Sequence, residues 1–144
     1  MRHDELVRFL SAYLPRRDPL SYLREIEGVD THVRVRGGEI DLLLRERWTV
    51  NGLELEVQEI IEVQRNYSRN GSNLFCKKRR NLGKYVQGIF SFAVPLFKSK
   101  TRAIRLFSHL LKAEHHILYI VDEDEEKVYA YLSPSSLDFL MSRP

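Results

Sequence analysis

Two long segments of alternating polar and apolar side chains, joined by Asn51-Gly52, constrain the fold more than any other feature of the chain. The segments are Glu39–Trp48 and Leu53–Gln64, and their period of two residues is that of a β-strand. An Asn-Gly pair between such segments is typical of a type I′ hairpin. A two-residue turn at 51–52 pairs residues whose numbers sum to about 103. The pattern therefore predicts that Asp41 lies opposite Glu62.

The same alternation predicts which side chains share a face of the sheet. In the first strand, one face should carry Ile40, Leu42 and Leu44, and the other face should carry Glu39, Asp41 and Leu43. In the second strand, a single face should carry Glu56, Gln58, Ile60, Glu62 and Gln64.

Helices and further strands are predicted on both sides of this hairpin. Before it we expect a helix at Asp4–Leu14 ended by Pro15, and a short helix from Pro19 to about Glu27 with Asp18 as N-cap and Gly28 as its stop. A strand at Thr31–Arg36 and a turn at Gly37-Gly38 follow. After the hairpin the pattern predicts helices at Leu74 to about Phe90 and at Thr101–Ala113, strands at His115–Asp122 and Lys127–Leu132, and a short final helix from Pro134. The fold class is α/β (α+β), with one mixed β-sheet flanked by helices.

Length and composition indicate one domain over residues 1–144, because there is neither a repeat nor a linker. The single cysteine, Cys76, excludes an internal disulfide and a cysteine-rich zinc site. The N-terminus lacks the apolar run of a signal peptide, and no apolar stretch is long enough to span a bilayer. We therefore expect a soluble cytoplasmic protein, in the host cell if it is viral, with no membrane partner and no small-molecule cofactor.

Charge is distributed very unevenly. From Val63 to Ala113 there are twelve basic residues and no Asp or Glu, although the whole chain has a net charge of only +3. The rest of the chain carries all 20 acidic residues. This separation favours a surface that meets a polyanion over a solvated helix face. The phosphate-binding residues predicted from it are Arg65, Arg69, Lys77, Lys78, Arg79, Arg80 and Lys84.

Asp41 and Glu62 are the residues that indicate chemistry. Two carboxylates opposite each other on apolar strands repel, so a cation or a proton must compensate their charge. Carboxylate oxygens without cysteine or patterned histidine favour Mg²⁺ or Mn²⁺.

The GEID turn-strand around Asp41, the IIEVQ strand end at Glu62 and the basic segment after it resemble the PD-(D/E)xK nuclease superfamily. Small Holliday junction resolvases of archaea and their viruses are the most similar members in size and layout. The resemblance implies a restriction-endonuclease-like core, and metal ligation by Asp41, Glu62, the Val63 carbonyl and Glu5 of the first helix. Glu25 is the alternative helix residue.

Two positions depart from that family pattern. Ile40 stands where the family has proline, and Gln64 stands where it usually has lysine. Glutamine can orient the attacking water but adds no charge, so Arg65 or a lysine among Lys77, Lys78 and Lys84 would have to supply the cation. Catalytic roles are accordingly expected for Asp41, Glu62 and Gln64.

Several readings stay open at the level of sequence. Glu56-Val57-Gln58 is a second EVQ that competes with Glu62, and Glu39 is either an extra ligand or a turn residue. Ile89–Phe97 is either core or a subunit interface, and we favour the interface. His115-His116 is interpreted as structural.

The resemblance implies a metal-dependent, structure-selective DNA endonuclease that acts as a homodimer on branched or duplex DNA in recombination. The alternatives are another nuclease of the superfamily, restriction-like or transposition-like, and a catalytically inactive nuclease fold that binds DNA.

Overall fold

Six β-strands form one mixed sheet in which the strand order follows the chain order. The computed structural model describes residues 1–35, 38–65, 88–96, 99–105 and 116–132. Its elements are α1 (His3–Arg17), β1 (Arg24–Val35), β2 (Gly38–Val50), β3 (Leu53–Val63), β4 (Ile89–Pro95), β5 (Ile117–Asp122) and β6 (Lys127–Leu132). Residues 100–105 are also helical. The predicted combination of helices with a mixed sheet is confirmed.

The sheet changes from antiparallel to parallel at β3. Strands β1, β2 and β3 form an antiparallel meander, β3, β4 and β5 run parallel, and β6 returns antiparallel to β5. The three central strands are therefore parallel, and the sheet is antiparallel on both sides of them.

The predicted hairpin between β2 and β3 is confirmed. Asn51 and Gly52 both have positive φ, 52° and 76°, as a type I′ turn requires. The pairing runs from Val50↔Leu53 to Leu42↔Ile61 in the predicted register. The turn residues therefore determine which side chains of β2 and β3 lie opposite each other.

Helix α1 packs on the sheet through a stripe of buried leucine and valine side chains. Leu6, Val7, Leu10 and Leu14 belong to the main core cluster, together with Trp48 of β2. The helix continues through Pro15 to Arg17, three residues beyond the predicted end. A proline removes one backbone donor near the end of a helix, and the residues after it can stay helical.

The predicted second helix, from Pro19 to Glu27, is wrong. Residues 19–23 form turns, and β1 begins at Arg24, seven residues before the predicted strand. Asp18 accepts the Leu20 N–H at 2.9 Å, which closes a turn, and its carboxylate binds the Arg24 guanidinium. This tertiary interaction holds the following residues against β2 as a strand. Glu25 is therefore an exposed strand residue paired with Arg47, and its role as a helix ligand is excluded.

Strand β4 differs from the prediction, in which the helix from Leu74 extends to about Phe90. All seven residues of Ile89–Pro95 are buried between two parallel neighbours. A short apolar run buried on both faces has no alternation to mark it as a strand. The interpretation of this segment as a subunit interface is wrong for Ile89–Pro95. Phe97 lies outside the described residues. His116 is structural, as predicted: its Nδ1 accepts the Phe90 N–H, and its own N–H bonds to the Phe90 oxygen.

Arg24 is the centre of a buried polar network under α1. Its guanidinium donates to Asp18, to Glu46 at 2.9 Å, to Glu59 at 2.7 Å and to the Tyr119 hydroxyl. Glu46 also accepts the Trp48 indole N–H. Glu59 accepts hydrogen bonds from Tyr119 and Ser91, which join β3, β4 and β5.

The two glutamates of this network differ in their proton affinity. Burial and the neighbouring charge of Glu59 raise the pKa of Glu46 well above its ordinary value. Burial also acts to raise the pKa of Glu59, but the charge of Arg24 and the hydrogen bonds outweigh it and lower that pKa. Glu46 therefore keeps its proton and Glu59 is the carboxylate that neutralises Arg24.

The C-terminal hairpin of β5 and β6 is confirmed, with its acidic turn at residues 123–126. The predicted helix after Thr101 begins at residue 100, and the Ser99 hydroxyl accepts the Arg102 N–H as its cap. The remainder of this helix lies outside the described residues. The same holds for the helix predicted from Leu74, for Gly37 of the predicted turn and for the final helix. Within the described part of the chain, no helix has the length and apolarity to cross a membrane.

Candidate metal centre

The regular alternation of β2 breaks at Asp41. Leu42 belongs to the core cluster under α1, whereas Ile40 packs with Ile60 and Phe90 in a second cluster. The prediction that Ile40 shares a face with Leu42 is therefore wrong. Opposite this break on β1 lies His32, which is placed between the pairs Thr31↔Leu42 and Val33↔Ile40 and has a φ of 50°. A left-handed residue turns the strand and changes the direction of its side chains.

Asp41 lies where the β2–β3 ladder ends. The last backbone pair of this ladder is Leu42↔Ile61, and the next positions in the same register are Asp41 and Glu62. Asp41 is only 5% exposed, and its Oδ2 accepts the Val63 N–H at 2.9 Å. The carboxylate thus takes the place of a backbone acceptor and is held firmly by β3.

His3 of α1 lies beside Asp41 and Val63 at this end of the ladder. Its Nε2 lies 3.0 Å from the Val63 carbonyl oxygen and 3.4 Å from Asp41 Oδ2. Burial acts to lower the pKa of His3, but the hydrogen bond with Asp4 and the charge of Asp41 outweigh it, so this pKa is raised. A carboxylate oxygen and a carbonyl oxygen therefore lie close to one imidazole nitrogen, and a divalent cation accepts all three donor types when the imidazole is neutral.

His3 was not predicted as a site residue, although its spacing along the helix places it on the buried face. His3, Leu6, Val7 and Leu10 follow the spacing of one helix face, so a histidine at the start of this buried stripe must lie at the edge of the sheet. Glu5, the helix ligand expected from the family resemblance, is exposed and borders a surface cavity with Met1, Arg8 and Phe9. Its ligand role stays a prediction.

Glu62 and Gln64 lie on either side of Val63. Glu62 is 6% exposed and stands opposite Phe92 of β4, and Gln64 continues the parallel ladder by donating its N–H to the Ala93 oxygen. The rival Glu56 is exposed and lies opposite Arg47, six residues along β2 from Asp41. Because Asp41 contacts the Val63 backbone, Glu62 is the nearer of the two glutamates to Asp41 along β3. The catalytic roles of Glu62 and Gln64 stay predictions.

A second group of donors lies beside Asp41 on β1 and β2. His32 Nδ1 is 2.8 Å from Glu39 Oε1, and one donor atom each from His32, Glu39 and Asp41 lie within 4.8 Å of one another. Glu39 thus lies close to Asp41. Of the two interpretations that the sequence left open for Glu39, an extra ligand or a turn residue, this position favours the ligand. Sequence reasoning missed His32, because nothing in its spacing marks it as a partner of Asp41.

The predicted phosphate-binding residues lie mostly outside the described part of the chain. Arg65 is described, and its Nη1 lies 2.6 Å from Glu123 Oε1 in the turn between β5 and β6. Arg69, Lys77, Lys78, Arg79, Arg80 and Lys84 lie outside the described residues, and their role stays a prediction.

Compared with known proteins, the sequence matches no family model and no curated relative. The function must therefore be argued from the geometry of this centre.

Proposed function

We propose that this chain is a metal-dependent DNA nuclease built on a restriction-endonuclease-like core. The observation that carries the proposal is the position of Asp41: a buried carboxylate at the end of a strand ladder, bound to the backbone of the residue that follows Glu62. The order of α1, an antiparallel meander and a parallel fourth strand supports the same core.

The donor set fits a hard or borderline divalent cation. Asp41 Oδ2 and the Val63 carbonyl oxygen both lie within 3.4 Å of His3 Nε2. Two nearly buried carboxylates, Asp41 and Glu62, lie at this end of the sheet, and an opposite charge lowers the cost of keeping both ionised. The residues that would hold the cation are Asp41, Glu62 and the Val63 carbonyl, with His3 as a further ligand.

Each residue has a distinct part in the proposed hydrolysis of a phosphodiester. A bound divalent cation supplies positive charge to the phosphate and acidifies water. Asp41 holds its position through the Val63 N–H, so the site does not need to reorganise when a substrate binds. Gln64 orients water by hydrogen bonding, and the basic segment beginning at Arg65 binds the DNA backbone.

A second candidate function, DNA binding without cleavage, is favoured by one observation. Gln64 supplies no positive charge, and the guanidinium of Arg65 is bound to Glu123. Within the described residues, neither side chain therefore offers an unpaired cation in the place of the family's lysine.

The test is cleavage of a four-way junction, a duplex and a single strand, each with Mg²⁺, Mn²⁺ or EDTA. We expect divalent-dependent cleavage that falls at least about 100-fold in Asp41→Asn, because a ligand should cost no less than an outer-shell residue. Asp30→Asn, the same change at an exposed position of β1, should cleave like the wild type. Circular dichroism establishes that both variants fold.

The outcomes separate the alternatives. Cleavage of the junction alone supports a resolvase, and cleavage of the duplex as well supports another nuclease on this core. Binding with no cleavage by the wild type or by Gln64→Lys, under either metal, overturns the nuclease proposal in favour of an inactive DNA-binding fold.

A further inference from the structure

Asp41 lies between two separate groups of donors. Toward β3 are the Val63 backbone and His3 of α1, and toward β1 are His32 of β1 and Glu39 of β2. We infer that His32, Glu39 and Asp41 form a second divalent-cation site, which shares Asp41 with the first and prefers Mn²⁺ to Mg²⁺.

The distances between the donors need only a small adjustment to fit an ion. Two ligand atoms about 2.1 Å from one ion lie about 3.0 Å apart at right angles and about 4.2 Å apart on opposite sides. The three donor atoms lie within 4.8 Å of one another, and the His32 and Glu39 atoms are 2.8 Å apart. The side chains of His32 and Glu39 are 42% and 45% exposed, so both can move toward the ion while Asp41 stays fixed.

An oxygen of Asp41 that accepts no hydrogen bond supports this site independently. Both contacts of the carboxylate, with the Val63 N–H and with His3, are made by Oδ2. Oδ1 accepts no hydrogen bond from any residue in the described part of the chain, although Asp41 is only 5% exposed. A buried carboxylate oxygen without a donor is costly, and a cation beside it removes that cost.

The ladder between β1 and β2 brings the three residues together. Arg34↔Glu39 and Val33↔Ile40 are paired, and the same register places His32 opposite Asp41. The left-handed φ of His32 is a conformation that histidine adopts more readily than most residues. The site is therefore set by strand pairing rather than by a flexible chain end.

The imidazole of His32 is the reason to expect Mn²⁺ rather than Mg²⁺ at this site. Mg²⁺ is bound mainly by oxygen ligands, whereas Mn²⁺ accepts carboxylates and stands in the first-row series that also accepts imidazole nitrogen. A shared carboxylate between two sites is the arrangement in which paired ions stabilise both the attacking and the leaving oxygen of a phosphodiester. A catalytic role for the paired ions rests on the proposed function, but the binding of the second ion does not.

The test measures metal binding directly on the full chain, without a nuclease assay. Mn²⁺ binding to metal-free protein, followed by electron paramagnetic resonance of the unbound ion, should give two sites in the wild type. His32→Asn, which keeps a residue tolerant of positive φ, and Glu39→Gln should each weaken one site at least about tenfold. A large excess of Mg²⁺ should be needed to displace Mn²⁺ from the second site.

Glu27→Gln is the matched control, since Glu27 is 48% exposed and ion-paired on β1. It should bind Mn²⁺ like the wild type. Binding that is unchanged in both His32→Asn and Glu39→Gln, whether the wild type binds one ion or two, overturns the second site, and so does a wild type that binds no ion. A two-ion protein that cleaves no DNA would overturn the proposed function and leave the second site intact.

Discussion

Arg24 is bound by three carboxylates, and a single positive charge cannot neutralise all of them. The side chains of Glu46 and Glu59 are fully buried, and that of Asp18 is 9% exposed. Ionising both glutamates would leave an uncompensated negative charge in the core, which is far costlier than keeping a proton. The proton resides on Glu46, whose pKa is raised by burial and by the charge of Glu59.

This proton predicts a pH dependence of stability. The folded protein keeps this proton to a higher pH than the unfolded chain does, so the free energy of unfolding should fall as pH rises above the ordinary glutamate range of about 4 to 5. One proton gives a slope of at most about 1.4 kcal/mol per pH unit. Glu46→Gln should flatten that slope between pH 5 and pH 8, as measured by urea unfolding.

The slope is the quantity to compare, because glutamine cannot reproduce both acceptor oxygens and will change the absolute stability. Glu46 accepts from both Trp48 and Arg24, and glutamine has only one oxygen. Glu27→Gln, an exposed counterpart, should keep the wild-type slope. Equal slopes in the wild type and Glu46→Gln would show that Glu46 is ionised in the folded state.

The candidate site was predictable only where strand patterning determined it. The position of Asp41 at the end of the β2–β3 ladder was predictable because a type I′ turn determines the register of these two strands. His3 and His32 were missed, because each reaches Asp41 from an element whose packing is decided by tertiary contacts. Local patterns report neighbours along a hairpin, but they do not report which helix end reaches the sheet.

The elements differ in the same way in how well the sequence predicted them. The hairpins β2–β3 and β5–β6 carry turn residues and alternation, and both are confirmed. The segment from Pro19 to Glu27 has a helix-like start, yet Arg24 bound to buried carboxylates makes it a strand. Strand β4 is apolar at nearly every position, so its period could not separate strand from helix.

Gly88 marks the place where β4 joins β3, and it predicts a large effect of one methyl group. A β-carbon at Gly88 would overlap the Gln58 backbone oxygen, which cannot move without distorting β3. Gly88→Ala should therefore destabilise the protein by about 1 to 3 kcal/mol, the usual range for overpacking. Thermal or urea unfolding measures the change.

Gly28→Ala is the matched control at the element scale. Its β-carbon would meet only the end of the exposed Arg45 side chain, which can rotate away. We expect less than about 1 kcal/mol of destabilisation, which is typical of surface substitutions. If the two variants lose the same stability, the approach of Gly88 to β3 is not the reason for glycine at that position.

At the scale of the whole molecule, charge is separated along the chain more strongly than the net charge of +3 suggests. The twelve basic residues of the segment Val63–Ala113 begin directly after the strand that carries Glu62. A polyanion bound by the first residues of this segment would lie next to the end of β3. Binding of that kind is governed by the release of counterions and must weaken steeply with salt.

The last prediction uses this salt dependence to locate the DNA contacts. Changing Lys77, Lys78, Arg79 and Arg80 to glutamine should lower the slope of log affinity against log salt concentration by up to about 3 to 4, since each phosphate contact contributes about 0.9 on a duplex. The same loss of charge elsewhere, at the exposed residues Arg8, Arg16, Arg17 and Lys127, should leave the slope unchanged. Fluorescence anisotropy of labelled duplex between 50 and 200 mM salt, about the range in which such contacts weaken, gives both slopes. Equal slopes in the two variants would mean that DNA responds to net charge alone, and a slope lowered only by the second set would place the DNA on the side of α1 and β6.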